Sequence, residues 1–176
     1  QDALTKVLNR ERISQFLQES LEKHRSDGTA IAVLFLDIDD FKIFNNNYGH
    51  HVGDQVLLFL TSLLTRESGG TVGRVGGDEF LVIVEDQENV RHLDSCLLRI
   101  EQAARSQFVV RGSGCRLPIF CCIGAVQIDF AASPDEAPDA EKVITMADAA
   151  MYQVKNNGKQ GHRILDYSSF QAAAIP

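Results

Sequence analysis

The pattern of apolar and polar residues predicts a chain in which helices and strands alternate. Apolar residues recur three or four positions apart, as in amphipathic helices, over about residues 5–25, 41–46, 52–64, 89–105 and 143–154. Shorter apolar runs predict strands over about residues 30–36, 71–75, 79–84, 117–128 and 162–165. The run 30–36 is continuously apolar, which is typical of a strand buried on both faces.

Glycine residues mark the expected ends of several of these helices and strands. Gly28 is expected to end the first helix, and Gly158 fits the left-handed position that follows the last helix. Gly76 and Gly77 separate two predicted strands, which indicates a two-residue hairpin turn with positive φ angles. A hairpin within a mixed pattern disfavours a purely parallel sheet and favours a single α/β (α+β) domain. We expect that domain to span residues 1–167 and residues 168–176 to form a weakly ordered tail.

Length and composition exclude some classes of function. A chain of 176 residues with 44% hydrophobic residues can bury one core of ordinary size. Its net charge of −7 argues against a nucleic-acid partner, because phosphate contacts need clustered Lys and Arg. The run 30–36 is the longest apolar run and is too short to span a bilayer.

The cysteines indicate the redox environment of the domain, and the first residue indicates whether the domain is part of a longer chain. The four cysteines lack CxxC spacing, so we expect reduced thiols in a cytoplasmic domain. The chain begins at Gln1 rather than Met. We therefore expect it to be part of a longer protein, and membrane attachment of the parent chain is left open.

Carboxylates concentrate at two predicted strand ends. Asp37 and Asp39 follow the buried strand on one face, and Asp78 and Glu79 follow the glycine pair. If those strands are neighbours, the acids form one cluster, whose mutual repulsion a divalent cation such as Mg²⁺ would relieve. The alternatives are a solvated acidic turn or the acid of a P-loop enzyme, although no GxxxxGK[ST] loop is present.

Five blocks of sequence resemble the GGDEF domain of diguanylate cyclases. They are Asp2-Ala3-Leu4-Thr5 with Asn9-Arg10, the run 36–42, the run 45–54 with its Asn, Gly-His and Gly-Asp pairs, the signature 76–80, and 147–158 with Ala-Asp, Met-Tyr, Lys and Gly. The resemblance covers about residues 2–160 in order. It implies the palm of nucleotide cyclases, a ferredoxin-like core with a mostly antiparallel central sheet of about five strands surrounded by helices.

The resemblance also implies a reaction. Each domain would bind one GTP, and two copies of the domain would join their nucleotides into cyclic di-GMP and release pyrophosphate. Two Mg²⁺ ions, or Mn²⁺ in their place, would be held by Asp37, the backbone carbonyl of Ile38, Asp78 and Glu79. Asp78 matches the position of the general base, and Glu79 completes the catalytic pair.

The same resemblance assigns substrate contacts. Asn45 and Asp54 match the residues that read guanine, and His50 would contact the nucleotide or brace its loop. The remaining residues would hold or accommodate the phosphates: Phe41 and Lys42 at a helix start, Lys155, Lys159, Gly76 and Gly77.

Departures from the family leave alternatives open. Lys159 replaces a common Arg, and Glu67 and Gly70 replace the Arg and Asp of the RxxD motif, so we expect no inhibitory product site of that kind. The alternative to a cyclase is a degenerate GGDEF module that binds GTP or cyclic di-GMP without catalysis. Asp54 disfavours a cyclase of relaxed base choice. For Arg74 two roles stay open, a bond to the carboxylates or support of the hairpin.

Overall fold

The computed structural model describes residues 1–168, so the predicted tail lies almost entirely outside the described residues. The helices are α1 (Arg10–Asp27), α2 (Phe41–Tyr48), α3 (His50–Ser68), α4 (Gln87–Arg91), α5 (Leu93–Gln107) and α6 (Ala140–Asn156). The strands are β1 (Ala30–Ile38), β2 (Thr71–Arg74), β3 (Glu79–Val84), β4 (Cys121–Asp129) and β5 (Gly161–Asp166). No helix in this part of the chain is both long and apolar enough to cross a membrane.

The five strands form one sheet in the order β2-β3-β1-β4-β5. β1 lies in the centre and pairs antiparallel with β3 and β4, β2 pairs antiparallel with β3, and only β5 is parallel to its neighbour. The mostly antiparallel sheet of the predicted α+β class is therefore confirmed. Its central strand is the continuous apolar run, as expected for a strand covered on both faces.

Helices cover both faces of the sheet. Alternation along β1 sends Leu34 and Leu36 toward the core beneath α3 and α5, and Val33 and Phe35 toward the core beneath α1 and α6. The adjacent residues Cys121 and Cys122 of β4 likewise belong to opposite cores. The four cysteines are free thiols, as predicted.

Three predicted boundaries were wrong for local reasons. α1 begins at Arg10 rather than near residue 5, because the Asn9 side chain accepts a hydrogen bond from the amide of Arg12 and caps the helix there. The helix predicted over 89–105 is two helices, broken at His92 by a non-helical backbone (φ −112°, ψ 47°). The strand predicted from residue 117 begins at Cys121, because the amides of Leu117 and Ile119 donate to the chain at the end of α5.

The hairpin between β2 and β3 also differs from the prediction. Its connection is the four-residue segment 75–78, closed by a hydrogen bond of 3.0 Å from the Val75 amide to the Glu79 carbonyl. Neither Gly76 nor Gly77 has a positive φ, because a four-residue loop distributes the reversal over more dihedral angles. A Cβ at Gly76 would displace the carboxylate end of the Glu79 side chain, whereas Gly77 faces open space.

Arg74 supports this hairpin. Its guanidinium donates to the carbonyl of Gly77 at 2.7 Å and to the carboxylate of Asp2 at 3.2 Å. Asp2 also accepts from the amide and hydroxyl of Thr5. Burial alone would raise the pKa of Asp2, but these hydrogen bonds lower it to about 2. The N-terminal segment is thereby tied to the tip of the hairpin.

Substitution of Gly124 in β4 should destabilise the fold. A Cβ at this position would strike the backbone of α6 at Ala147 and Met151. We expect Gly124→Ala to lower the free energy of unfolding by about 2 to 3 kcal/mol, measured by urea denaturation. Gly77→Ala is the matched control, because no atom lies within 4 Å of its Cβ position. Equal stability of the two variants would contradict this close packing of β4 and α6.

The contacts of the Asp2 carboxylate with Thr5 and Arg74 should stabilise the fold in a pH-dependent way. Because its folded pKa lies below the ordinary value, the ionised carboxylate stabilises the fold above about pH 4, and this contribution is lost as the pH falls toward 2. We expect Asp2→Asn to lower the free energy of unfolding by about 1 to 2 kcal/mol near pH 6 and by less near pH 3.

Urea titrations at both pH values measure this difference. Asp135→Asn, in the exposed loop before α6, should change stability little at either pH. If Asp2→Asn lowered the free energy of unfolding by the same amount at both pH values, the stabilising role of the ionised Asp2 carboxylate would be contradicted.

Candidate active site

The acidic ends of β1 and of the hairpin meet at one edge of the sheet. In the register of β1 and β3, Asp37 lies directly opposite Glu79. The amide of Ile38 donates to the backbone carbonyl of Asp78 at 3.3 Å. The structure thus brings together the four residues that the sequence placed in a metal site.

Asp37 is the most buried acid of this group. Its residue is 6% exposed, and its Oδ2 accepts a hydrogen bond of 2.7 Å from the Lys155 ammonium of α6. Its Oδ1 is buried without a hydrogen-bond partner among the described residues. Burial raises the pKa of Asp37 to about 6, with Lys155 opposing the rise and the Asp78 carboxyl adding to it. One oxygen is therefore left for a further ligand.

Glu79 lies in the same electrostatic environment. Burial raises the pKa of its carboxyl, the negative charges of Asp78 and Asp148 add to the rise, and Lys155 and Arg10 oppose it. Asp148 and Arg10 are the two residues here to which the sequence analysis gave no role. Both lie inside blocks that match the family, and that position was the only signal that could have indicated them.

A second group of contacts joins the β1–α2 junction to the chain after α6. Asp39 accepts from the thiol of Cys122 at 2.8 Å and from the amide of Gln160 at 3.1 Å. Asp40 pairs with the ammonium of Lys159 at 2.6 Å. The sequence predicted Lys159 near a nucleotide phosphate, and nothing in it indicated these carboxylate partners.

The start of α2 is open to an anion. Asp40 adopts a left-handed conformation (φ 54°, ψ 35°), and its side chain does not cap the helix. The first amides of α2, at Phe41 and Lys42, have no partner within the helix. Lys42 itself is exposed beside them. Backbone donors and a cation are therefore available next to the carboxylates.

The corner between α2 and α3 holds the residues predicted to read the base. Asn45 lies against Gly53, at the place that a Cβ on Gly53 would occupy, and the Phe41 ring contacts the same glycine. The Oδ1 of Asn45 is buried without a hydrogen-bond partner among the described residues. Asp54 and His50 are exposed on the first turns of α3. This corner is connected to the carboxylates through α2.

The positions that replace the RxxD motif have other roles. Glu67 pairs with Arg66 at 3.1 Å and with Arg99 at 3.6 Å. Gly70 packs against the backbone carbonyl of Ile83, so that a side chain at this position would collide with β3. An aspartate at residue 70 would therefore not fit without a backbone shift.

Sequence comparison identifies the family. The sequence model described as "Diguanylate cyclase, GGDEF domain" matches residues 1–161. MucR of Pseudomonas aeruginosa, named a bifunctional diguanylate cyclase/cyclic di-GMP phosphodiesterase, is 31% identical over 169 residues, or 95% of this chain and 24% of MucR. DgcP of Escherichia coli, named a diguanylate cyclase, is 33% identical over 158 residues, or 89% of this chain and 44% of DgcP.

Structural comparison agrees with the sequence. The GGDEF domain of DgcB from Caulobacter crescentus, solved in complex with c-di-GMP, is similar with a TM-score of 0.79 at 29% identity, covering 93% of this chain and 91% of that one. The chain spans less than half the length of either MucR or DgcP. With the signature at the hairpin and the matching fold, the chain belongs to the GGDEF domain family of diguanylate cyclases.

Proposed function

We propose that this domain is a diguanylate cyclase that condenses two GTP molecules into cyclic di-GMP and pyrophosphate. The observation that carries the proposal is the buried Asp37 opposite Glu79, with Asp78 beside them, at the edge of the sheet where α2 begins. Carboxylates, open helix amides and lysines in one place suit a nucleoside triphosphate with its metal ions.

The donor set fits hard divalent cations. The carboxylates of Asp37, Asp78 and Glu79 and the backbone carbonyl of Ile38 are all oxygen ligands, the type that Mg²⁺ and Mn²⁺ prefer. The Oδ1 of Asp37 is buried with no hydrogen-bond partner within residues 1–168, and the pKa values of Asp37 and Glu79 are raised; both observations indicate missing positive charge. When bound, the ions would neutralise the phosphates and make the attacking hydroxyl more acidic.

The chain's own groups would position the reactants. Asp78, at the tip of the hairpin, would accept the proton of the ribose 3′-hydroxyl as it attacks the α-phosphate of the other nucleotide. The amides at Phe41 and Lys42 would donate to the phosphates, and Lys155 and Lys159 would contribute charge. Gly76 and Gly77 would let the nucleotide approach the loop, since Gly77 faces open space.

The α2–α3 corner would select guanine. The Asp54 carboxylate can accept from N1–H and the 2-amino group of guanine, and adenine offers neither donor in that arrangement. The buried Oδ1 of Asn45, which no group in the described part of the chain bonds, is a second acceptor at the same corner. His50, exposed one helical turn before Asp54, would contact the nucleotide or brace its loop.

The reaction requires a second copy of the domain. Cyclic di-GMP contains two linkages, and each forms when the 3′-hydroxyl of one nucleotide attacks the α-phosphate of the other. The chain carries one signature and hence one set of ligands, so two domains would face each other around the two nucleotides. Because MucR and DgcP are much longer than this chain, an upstream sensory region is the proposed means of bringing two copies together.

The domain should make cyclic di-GMP from GTP with Mg²⁺ or Mn²⁺, detected by mass spectrometry. The assay should use the domain fused to a dimeric coiled coil, so that encounter does not limit the rate. Asp78→Ala should reduce turnover by at least about 10³-fold, because it removes a metal ligand and the base together. Asp135→Ala, remote from the acids in sequence and exposed, should retain activity. A fused domain that binds GTP but yields no product would support the degenerate module instead.

Base choice should depend on Asp54. Asp54→Ser would lose the acceptor pair for guanine, and we expect kcat/KM for GTP to fall by about 10²-fold while that for ATP changes little or rises. Competition between GTP and ATP in one reaction measures this ratio directly. His51→Ser, on the same exposed turn of α3, should leave the ratio unchanged. An unaltered ratio in Asp54→Ser would exclude Asp54 as the guanine reader.

A further inference from the structure

Residues 155–161, which we call the clasp, comprise the last two residues of α6 and the segment that follows them, whose backbone path is unusual. Four consecutive residues have positive φ angles: Gly158 (102°), Lys159 (61°), Gln160 (52°) and Gly161 (143°). For Lys159 and Gln160 this left-handed conformation is unfavourable, because the Cβ atom crowds the backbone. Contacts with the rest of the fold must therefore hold the clasp in place.

Those contacts go to the acids at the end of β1 and the start of α2. Lys155 binds Asp37, Gln160 donates its amide to Asp39, and Lys159 binds Asp40. The clasp therefore contacts Asp37 at the end of β1 and both acids, Asp39 and Asp40, that lie between β1 and α2. Asp40, the partner of Lys159, is itself one of the few non-glycine residues with a positive φ in the described chain.

This arrangement conflicts with simultaneous metal binding. The ammonium of Lys155 lies 2.7 Å from Oδ2 of Asp37, and a divalent cation on the same carboxylate would be repelled by it. Within residues 1–168, no group of three His, Cys, Asp or Glu side chains already converges in a way that could hold a metal ion. The two lysines proposed to bind phosphates are, in this structure, paired with carboxylates instead.

We propose that the clasp closes the metal site in the absence of nucleotide, so that divalent metal and nucleoside triphosphate bind together. The phosphates would draw Lys155 and Lys159 away from Asp37 and Asp40. The ammonium that repels a cation would then be gone from the Asp37 carboxylate, whose Oδ1 lacks a hydrogen-bond partner among the described residues. This inference rests on the proposed function, because it uses the same metal and phosphate sites. Lys155 thereby acts as a positioning residue that couples metal binding to nucleotide binding.

A purely structural ion pair makes the opposite prediction. If Lys155 only compensated a buried charge, its removal would destabilise the site and weaken metal binding. If Lys155 excludes the metal, its removal strengthens metal binding when no nucleotide is present. The sign of the change in metal affinity separates the two roles, and activity does not enter the measurement.

The experiment is a titration of the protein with Mn²⁺, in which electron paramagnetic resonance measures the free ion. The titration is run at about pH 8, so that protons compete little for the carboxylates, with and without 3′-deoxy-GTP, which lacks the attacking hydroxyl. Wild type should bind Mn²⁺ weakly alone and more tightly with 3′-deoxy-GTP. Lys155→Met should bind Mn²⁺ alone about tenfold more tightly than wild type, and 3′-deoxy-GTP should add less to its affinity.

Two further variants complete the design. Lys159→Met removes a half-exposed partner and should raise the nucleotide-free Mn²⁺ affinity by about threefold, which tests the clasp even if Lys155→Met does not fold. Lys23→Met, at an exposed position of α1, should match wild type.

The outcomes distinguish the inference from the function on which it rests. Suppose that both clasp variants bind Mn²⁺ normally with 3′-deoxy-GTP, but no more tightly than wild type without it. That result would overturn the proposal that the clasp closes the metal site, and it would leave the metal site itself intact. If wild type bound no Mn²⁺ even with 3′-deoxy-GTP, the proposed function itself would fail.

Discussion

The structure depends on how it accommodates negative charge at the buried end of its central strand. The antiparallel register of β1 and β3 places Asp37 against Glu79, and Asp78 follows at the tip of the hairpin. Burial and mutual repulsion raise the pKa of Asp37 and Glu79, so that the fold must supply positive charge nearby. Lys155 supplies it here, and in the proposed reaction divalent cations would do so.

Two helices bring their side chains or backbone amides to these acids. α6 packs closely on β4 because Gly124 has no side chain, and this contact carries Lys155 to the end of β1. On the other face, α2 leaves β1 directly, so that its uncapped first turn lies beside the same acids. Acceptors for a base, donors for phosphates and ligands for cations thus belong to elements that meet at one edge of the sheet.

The site also shows why backbone strain concentrates where it does. Asp40, Lys159 and Gln160 all adopt left-handed conformations, and hydrogen bonds and ion pairs to one another and to Asp39 hold them there. Strained residues persist only where several contacts determine them. A segment held by charge pairs can exchange partners when a polyanion arrives, in a way that a segment held by apolar packing cannot.

The sequence by itself determined the class of fold, the central strand, the hairpin and the family, because hydrophobic periodicity and the five blocks are local features of the chain. It also indicated that Asp37 and the hairpin acids would meet if the first strand paired with the hairpin, and the antiparallel pairing of β1 with β3 supplies that condition. Tertiary structure alone decided the partners of Lys155 and Lys159, the support of the hairpin by Arg74 and Asp2, and the absence of positive φ at Gly76 and Gly77. The ion pairs and the hairpin support depend on contacts between residues far apart in the chain. The φ angles of the glycines depend on how many residues the loop uses to reverse direction. A local pattern of residues specifies neither the distant contacts nor the loop length.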